Sequence, residues 1–284
     1  MKRIVLVTVF ITAMLIALIS CNNEIEDIKN IESVALTGSR DELLVDKIYD
    51  YHNNLLAEYI YDKNNRLVKR IVTDRIIESY RTIDRRWEDE FEYENGRVSK
   101  IKTYTRYIDS FFGNDDESHT ENTFEYDLEG KLIKSRDASF RYENGRVEGF
   151  LRVNEGPFYV TDTIVYDNSG NVIRHIYIGP ELTGFGQPIP GTTKRDVRYY
   201  EYDDKPKPNF GLDYLFGYNP LPYIEAPELI GALSKNNMIK ATEDGYAFIY
   251  TYNEDGLLAT IETKWIGVET LEPMLMRITY KKIN

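Results

Sequence analysis

Apolar and polar residues alternate in short runs along most of this chain with a period of two, the pattern of strands covered on one face. WEDEFEYE at 87–94 sets Trp87, Phe91 and Tyr93 on one face and Glu88, Glu90, Glu92 and Glu94 on the other. The six residues YENGRV occur at 93–98 and again at 142–147. Asn-Gly between alternating runs predicts a type I′ hairpin, whose two central residues both need positive φ. Asn95-Gly96 and Asn144-Gly145 are the predicted turns. Around the second, Arg141 faces Glu148 and Tyr142 faces Val147. One face then reads Ala138, Phe140, Tyr142, Val147, Gly149, Leu151 and Val153, all apolar. Around the first, the same register puts Lys100 opposite the apolar Phe91 and Ile101 on the glutamate face; a bulge or a second covering layer would reconcile them.

Looser relatives of the motif follow: YDKNNRLVK from Tyr61, YDLEGKLIK from Tyr126, YDNSGNVIR from Tyr166 and YNEDGLLAT from Tyr252. In each an aromatic ends one strand, a bridge of Asp, Asn or Gly turns, and an aliphatic opens the return. The spacing is irregular, so the chain predicts unequal hairpins rather than a fixed-period solenoid. The repeat is scaffold. Twenty-three tyrosines against two tryptophans agree with an all-β chain.

The N-terminus has a different pattern. MKR precedes the apolar run IVLVTVFITAMLIALIS and then Cys21, the one cysteine of 284 residues. Residues 1–20 are the predicted secretory signal, too short in their apolar part for a comfortable spanning helix. LISC at 18–21 resembles the lipobox of bacterial lipoproteins, which implies cleavage before Cys21 and its acylation. The mature chain then has no thiol for disulfides, metal binding or nucleophilic attack. Residues 21–44 are the expected tether and 45–284 one β-rich domain. Asn22 behind the cysteine implies, by the same resemblance, the outer membrane. The acidic stretch Glu24, Glu26 and Asp27 resembles surface-export signals of gut anaerobes, or is a solvated tether. Losing residues 1–20, with Lys2 and Arg3 and no acid, takes the net charge from −12 to −14. So acidic a chain is a poor nucleic-acid binder.

Together these stretches, with YEYDDKPKPNF at 200–210, LSKNNMIKAT at 233–242 and YTYNEDGLLATIE at 250–262, resemble two groups. One is the tyrosine–aspartate repeats of large bacterial surface and toxin proteins. The other, over most of the chain from about residue 45, is a family of outer-surface lipoproteins of gut anaerobes whose function is unknown and whose fold is porin-like. The resemblance implies a long antiparallel meander, curled or closed like a barrel. Four glutamates on one strand face argue that such a wall stands in water, with the lipid as the membrane attachment.

Three segments break the rhythm. YIDSFFGNDDESHTEN at 107–122 lacks calcium-loop spacing and reads as a flexible acidic hairpin loop. GPELTGFGQPIPG at 179–191 lacks a phosphate-loop pattern and reads as a surface connection. The insert 205–237 holds Phe210, Tyr214, Phe216, Tyr218 and Tyr223 among prolines, and predicts a short helix near 227–236. It is either a plug for the curled sheet or, with Trp265, an aromatic platform for a polysaccharide or a partner protein. His52, His119 and His175 fall in no zinc or nucleophile motif, and no cofactor or metal site is expected. The expected role is therefore a non-catalytic surface lipoprotein. It either binds polysaccharide or docks on an outer-membrane protein partner, with a carboxylate-dependent glycoside-acting enzyme as the least favoured reading.

Overall fold

The computed structural model describes residues 40–77, 81–135, 138–153, 159–181, 183–184, 187–216, 218–222, 228–241, 246–266 and 274–283. The predicted signal, Cys21, most of the predicted tether and Tyr223 lie outside the described residues. After a 3-10 turn at Arg40–Glu42 the described residues form sixteen strands. They are β1 (Leu43–Asp50), β2 (Leu55–Tyr61), β3 (Leu67–Ile77), β4 (Thr82–Glu94), β5 (Arg97–Asp109), β6 (Asn114–Tyr126), β7 (Leu132–Ser135) and β8 (Ala138–Glu143). The second half has β9 (Arg146–Val153), β10 (Tyr159–Tyr166), β11 (Val172–Gly179), β12 (Lys194–Pro206), β13 (Asn236–Ala241), β14 (Tyr246–Tyr252), β15 (Leu258–Trp265) and β16 (Met274–Lys282). Every strand pairs with its neighbours in sequence, and β1 pairs with β16, so the sheet is a closed antiparallel barrel. One helix, α1 (Glu228–Leu233), lies in the β12–β13 connection. It is shorter than predicted, because Asn236 and Asn237 open β13 instead of stopping a helix. The sheet also starts two residues before the predicted domain, since Leu43 and Leu44 pair with Lys282 and Lys281.

The hairpins share one design. Asn95 and Gly96 have φ of 50° and 79°, and Asn144 and Gly145 have 49° and 78°, the two positive values of a type I′ turn. Each motif tyrosine then pairs with the aliphatic that opens the return strand, and one residue is skipped immediately beyond. Tyr93 pairs with Val98 but Glu92 with Lys100, so Ser99 is bulged and Phe91 meets Ile101. The bulge, not a second layer, reconciles the first copy. The same skip follows Tyr61, Tyr126, Tyr142, Tyr166 and Tyr252. At Tyr142 it corrects the predicted register: Arg141 lies opposite Gly149, and Phe150 joins Phe140 inside. Arg141 and Glu148 still meet as an ion pair at 3.2 Å.

In the longer turns the residue after the tyrosine closes the loop with its side chain. Asp62 Oδ1 accepts from the Asn64 and Arg66 amides at 2.8 and 3.0 Å, and Asp127 and Asn253 repeat the pattern. This Asx geometry is the physical content of the tyrosine–aspartate pair. The amide of Arg66, then burial opposing it, is the leading influence on Asp62, whose carboxyl is held below its usual range.

Candidate functional site

All the tyrosine-ended turns lie at one end of the barrel, where they form a girdle. Tyr61 donates its hydroxyl hydrogen to the Val45 carbonyl, Tyr93 to Leu67, Tyr126 to Val98, Tyr142 to Leu132 and Tyr166 to Val147, all at 2.8–2.9 Å. Tyr202 reaches Val172 and Tyr280 reaches Leu258 in the same way. Each ring thus lies along the barrel wall and satisfies a carbonyl of the strand preceding it, next to the bulge that leaves that carbonyl accessible. Tyr252 departs from the series and donates to the Asp203 carboxylate, because β12 and β13 are joined by the insert instead of a tight turn. Burial raises these phenols, Tyr142 and Tyr166 to about 12 and Tyr61, Tyr93, Tyr126 and Tyr202 further.

The insert enters through this end and fills it. Phe210, Leu212, Leu215 and Ile230 are buried in the same core as the strand residues. Its rings meet rings on four alternate strands: Phe210 against Tyr59 of β2, Tyr218 against Phe91 of β4, Tyr214 against Tyr126 of β6 and Phe216 against Phe140 of β8. Two of these contacts are edge-to-face, at 5.4 and 4.9 Å between centroids. The Val98 amide donates to the Tyr214 hydroxyl at 3.2 Å, and Val45 donates to the Asn209 carbonyl at 2.9 Å. Helix α1 is tied in by Lys207 Nζ, which donates to the Gly231 and Ala232 carbonyls, and by Ser234, whose hydroxyl accepts from the Val172 amide. Of the residues proposed as a platform, four are therefore packed against the wall: Phe210 is buried, and Tyr214, Phe216 and Tyr218 are half-buried. Tyr223 is outside the described residues, and Trp265 is the last residue of β15.

A latch holds the insert that the sequence did not disclose. Asp89 of β4 is 2% exposed. It accepts from Arg70 Nε at 2.8 Å, from Thr103 Oγ1 at 2.6 Å and from the Tyr218 hydroxyl at 2.7 Å. Arg70 Nη1 also donates to the Asn219 and Pro220 carbonyls at 3.0 Å, and the Tyr59 hydroxyl donates to Pro220 at 2.6 Å. Burial opposes the charge of Arg70, but Tyr218 and Asp89 beside it keep its guanidinium above the usual range. Burial likewise pushes Tyr218 well up. Asp89 sits among Trp87, Phe91 and Tyr93 on the apolar face, and that break in alternation is the signal that would have found it.

Between the insert and the β13–β14 wall lies a cavity of about 130 Å³, lined among others by Phe210, Phe216, Tyr218, Met238, Phe248 and Tyr250. It brings three of the predicted rings together, in a volume that suits a single small ring.

The opposite rim is built differently. Strands β3 to β6 run 11–13 residues, while β7 and β8 have four and six. The segment read as a flexible acidic loop is mostly strand: only residues 110–113 turn, and Asn114–Thr123 pair with β5. It carries no apolar alternation because Asn114 to Glu121 are exposed on both faces. The outward faces of these strands bear charges in ranks along their length, from Lys69 and Lys100 near the girdle to Arg106 near the far rim. Lys69 of β3 meets Glu88 and Glu90 of β4, Lys102 of β5 meets Glu92, and Lys100 and Arg106 of β5 meet Glu121 and Asp115 of β6. The three histidines are dispersed: His52 packs at a tilt against Tyr51 in the β1–β2 turn, His119 lies near Tyr104 and His175 is buried against Phe150. Among the described residues no three His, Cys, Asp or Glu side chains gather as a metal site.

Solved structures similar to this chain include two porin-like proteins. One, from Bacteroides uniformis ATCC 8492, has 10% identity and a TM-score of 0.42, covering 78% of this chain and 98% of its own. The other, from Bacteroides vulgatus ATCC 8482, has 14% identity and a TM-score of 0.38, covering 84% and 99%. No family model matches the chain, and no curated protein does.

Proposed function

We propose that this chain is a non-catalytic, lipid-anchored accessory protein of the outer-membrane surface, held by an acylated Cys21 and docking on a protein partner through its sheet. The observation that carries this reading is the placement of Phe210, Tyr214, Phe216 and Tyr218: the rings a glycan platform would need are packed as a plug. The ranks of Lys, Arg, Asp and Glu on the outward face of β3–β6 support attachment by lipid, since a cation facing the middle of a bilayer costs about 2–4 kcal/mol.

Thermal melts with a panel of soluble polysaccharides test it. A ligand that binds only the folded state raises the midpoint by linkage. The expected result is an unmoved midpoint with every glycan, and a lower midpoint for Tyr214→Ala and Tyr218→Ala whether or not glycan is present. A reproducible rise with one glycan, lost in those variants, would restore the polysaccharide reading.

A further inference from the structure

The rim opposite the girdle holds a strand that is only half used. β6 pairs with β5 along Asn114–Thr123, but its other edge meets β7 only at Phe124–Tyr126. Among the described residues no strand pairs with that edge between 114 and 121, where every residue is exposed. An unpaired edge presents a row of backbone donors and acceptors, the template used in strand addition. We propose, resting on the accessory reading above, that this edge of β6 receives an extended segment of a partner protein with Lys or Arg at alternate positions.

The charge ranks select that occupant. Going around the wall, the outward face is basic on β3, acidic on β4, basic on β5 and acidic on β6, with ion pairs across each seam. Where β6 does have a second neighbour, the alternation continues: Lys134 of β7 meets Glu125 at 2.8 Å. Beyond that point Asp115, Glu117 and Glu121 have cations on the β5 side only. A strand added there continues the order if it is basic. A second copy of β6 does not fit, because like charges would stand opposite one another. At the tip of the same hairpin Phe111 and Phe112 form an edge-to-face pair, 59% and 65% exposed, and offer apolar contact where the added strand would end.

The test uses the full chain in detergent and two synthetic peptides of about ten residues, one alternating Thr with Lys and one alternating Thr with Glu, followed by backbone hydrogen exchange. At about ten times its dissociation constant, the Lys peptide is expected to slow exchange of amides within 114–123 about tenfold, and the Glu peptide to leave them unchanged. The double variant Glu117→Lys with Glu121→Lys is expected to reverse that preference; its surface pairs are weak, so its melt should stay close to the parent's. Equal effects of the two peptides, or no protection in 114–123, would overturn the proposal. Protection elsewhere on the sheet would overturn it while leaving a docking protein, and protection that follows protein concentration alone would assign the edge to a second copy. A glycan-induced rise in the melts above would instead remove the reading beneath it.

Discussion

The two ends of the barrel solve the same problem with opposite means. At the girdle end, seven phenols close carbonyls along the wall, the insert fills the interior with rings, and Arg70, Asp89 and Tyr218 fasten it. At the far rim, β3–β6 rise past their short neighbours with charged outer faces and an unpartnered edge. One end is dry and over-determined, so a lost partner there leaves a buried group unsatisfied. The other is wet and redundant, and its ion pairs are individually cheap to lose. Stability therefore belongs to the first end and accessibility to the second.

The contrast sharpens most with alkali. The girdle phenols are raised above the ordinary value of 10 by burial, so the folded state holds their protons more tightly than the unfolded chain. Their contribution is fully present below pH 10 and is lost as pH rises through about 12, where Tyr142 and Tyr166 ionise. Melts from pH 8 to 12.5 should be flat, then fall steeply, with phenolate absorbance appearing together with unfolding. Early absorbance from a still-folded chain would dissolve the girdle account.

Next in size is the latch. Asp89→Ala strands a buried guanidinium and should cost about 3–5 kcal/mol in denaturant unfolding. A loss near that of a surface pair would mean the latch is hydrated and the end is not dry. Tyr93→Phe keeps the ring and removes only the hydrogen bond to Leu67, so about 1 kcal/mol is expected. At the far rim, Arg106→Met or paired Phe111→Ser and Phe112→Ser should fall within about 0.5 kcal/mol of the parent. If the rim variants cost as much as Tyr93→Phe, the division between the ends fails.

Some of this was legible in the sequence. The Asn-Gly turns, the tyrosine that ends each strand and the aliphatic that opens the next are local, and local chemistry is written in neighbouring residues. Closure into a barrel came from resemblance, since no residue names its partner across the β1–β16 seam. A bulge was one of two ways to reconcile the first copy, but its recurrence was hidden because the skipped positions range from Val68 and Ile133 to Ser99 and Glu148; their cause is the tyrosine opposite. Residues 114–122 were misread as a loop because a strand exposed on both faces has no alternation to show. Asp89 was overlooked because a lone acid on an apolar face makes sense only once Arg70 and Tyr218 arrive from elsewhere in the chain.

The topology also orders assembly in time. Fifteen seams join strands adjacent in the chain and can form hairpin by hairpin, whereas β1 must find β16 across nearly the whole domain. Long-range pairing of this kind is the slow step, because its loop entropy is met before any contact repays it. The insert occupies the interior and binds Val45 of the closing strand through Asn209, so its seating and the zipping of that seam are coupled. The barrel is thus built around its own stopper, and in pulsed exchange during refolding the amides of β1 and β16 should be the last to gain protection.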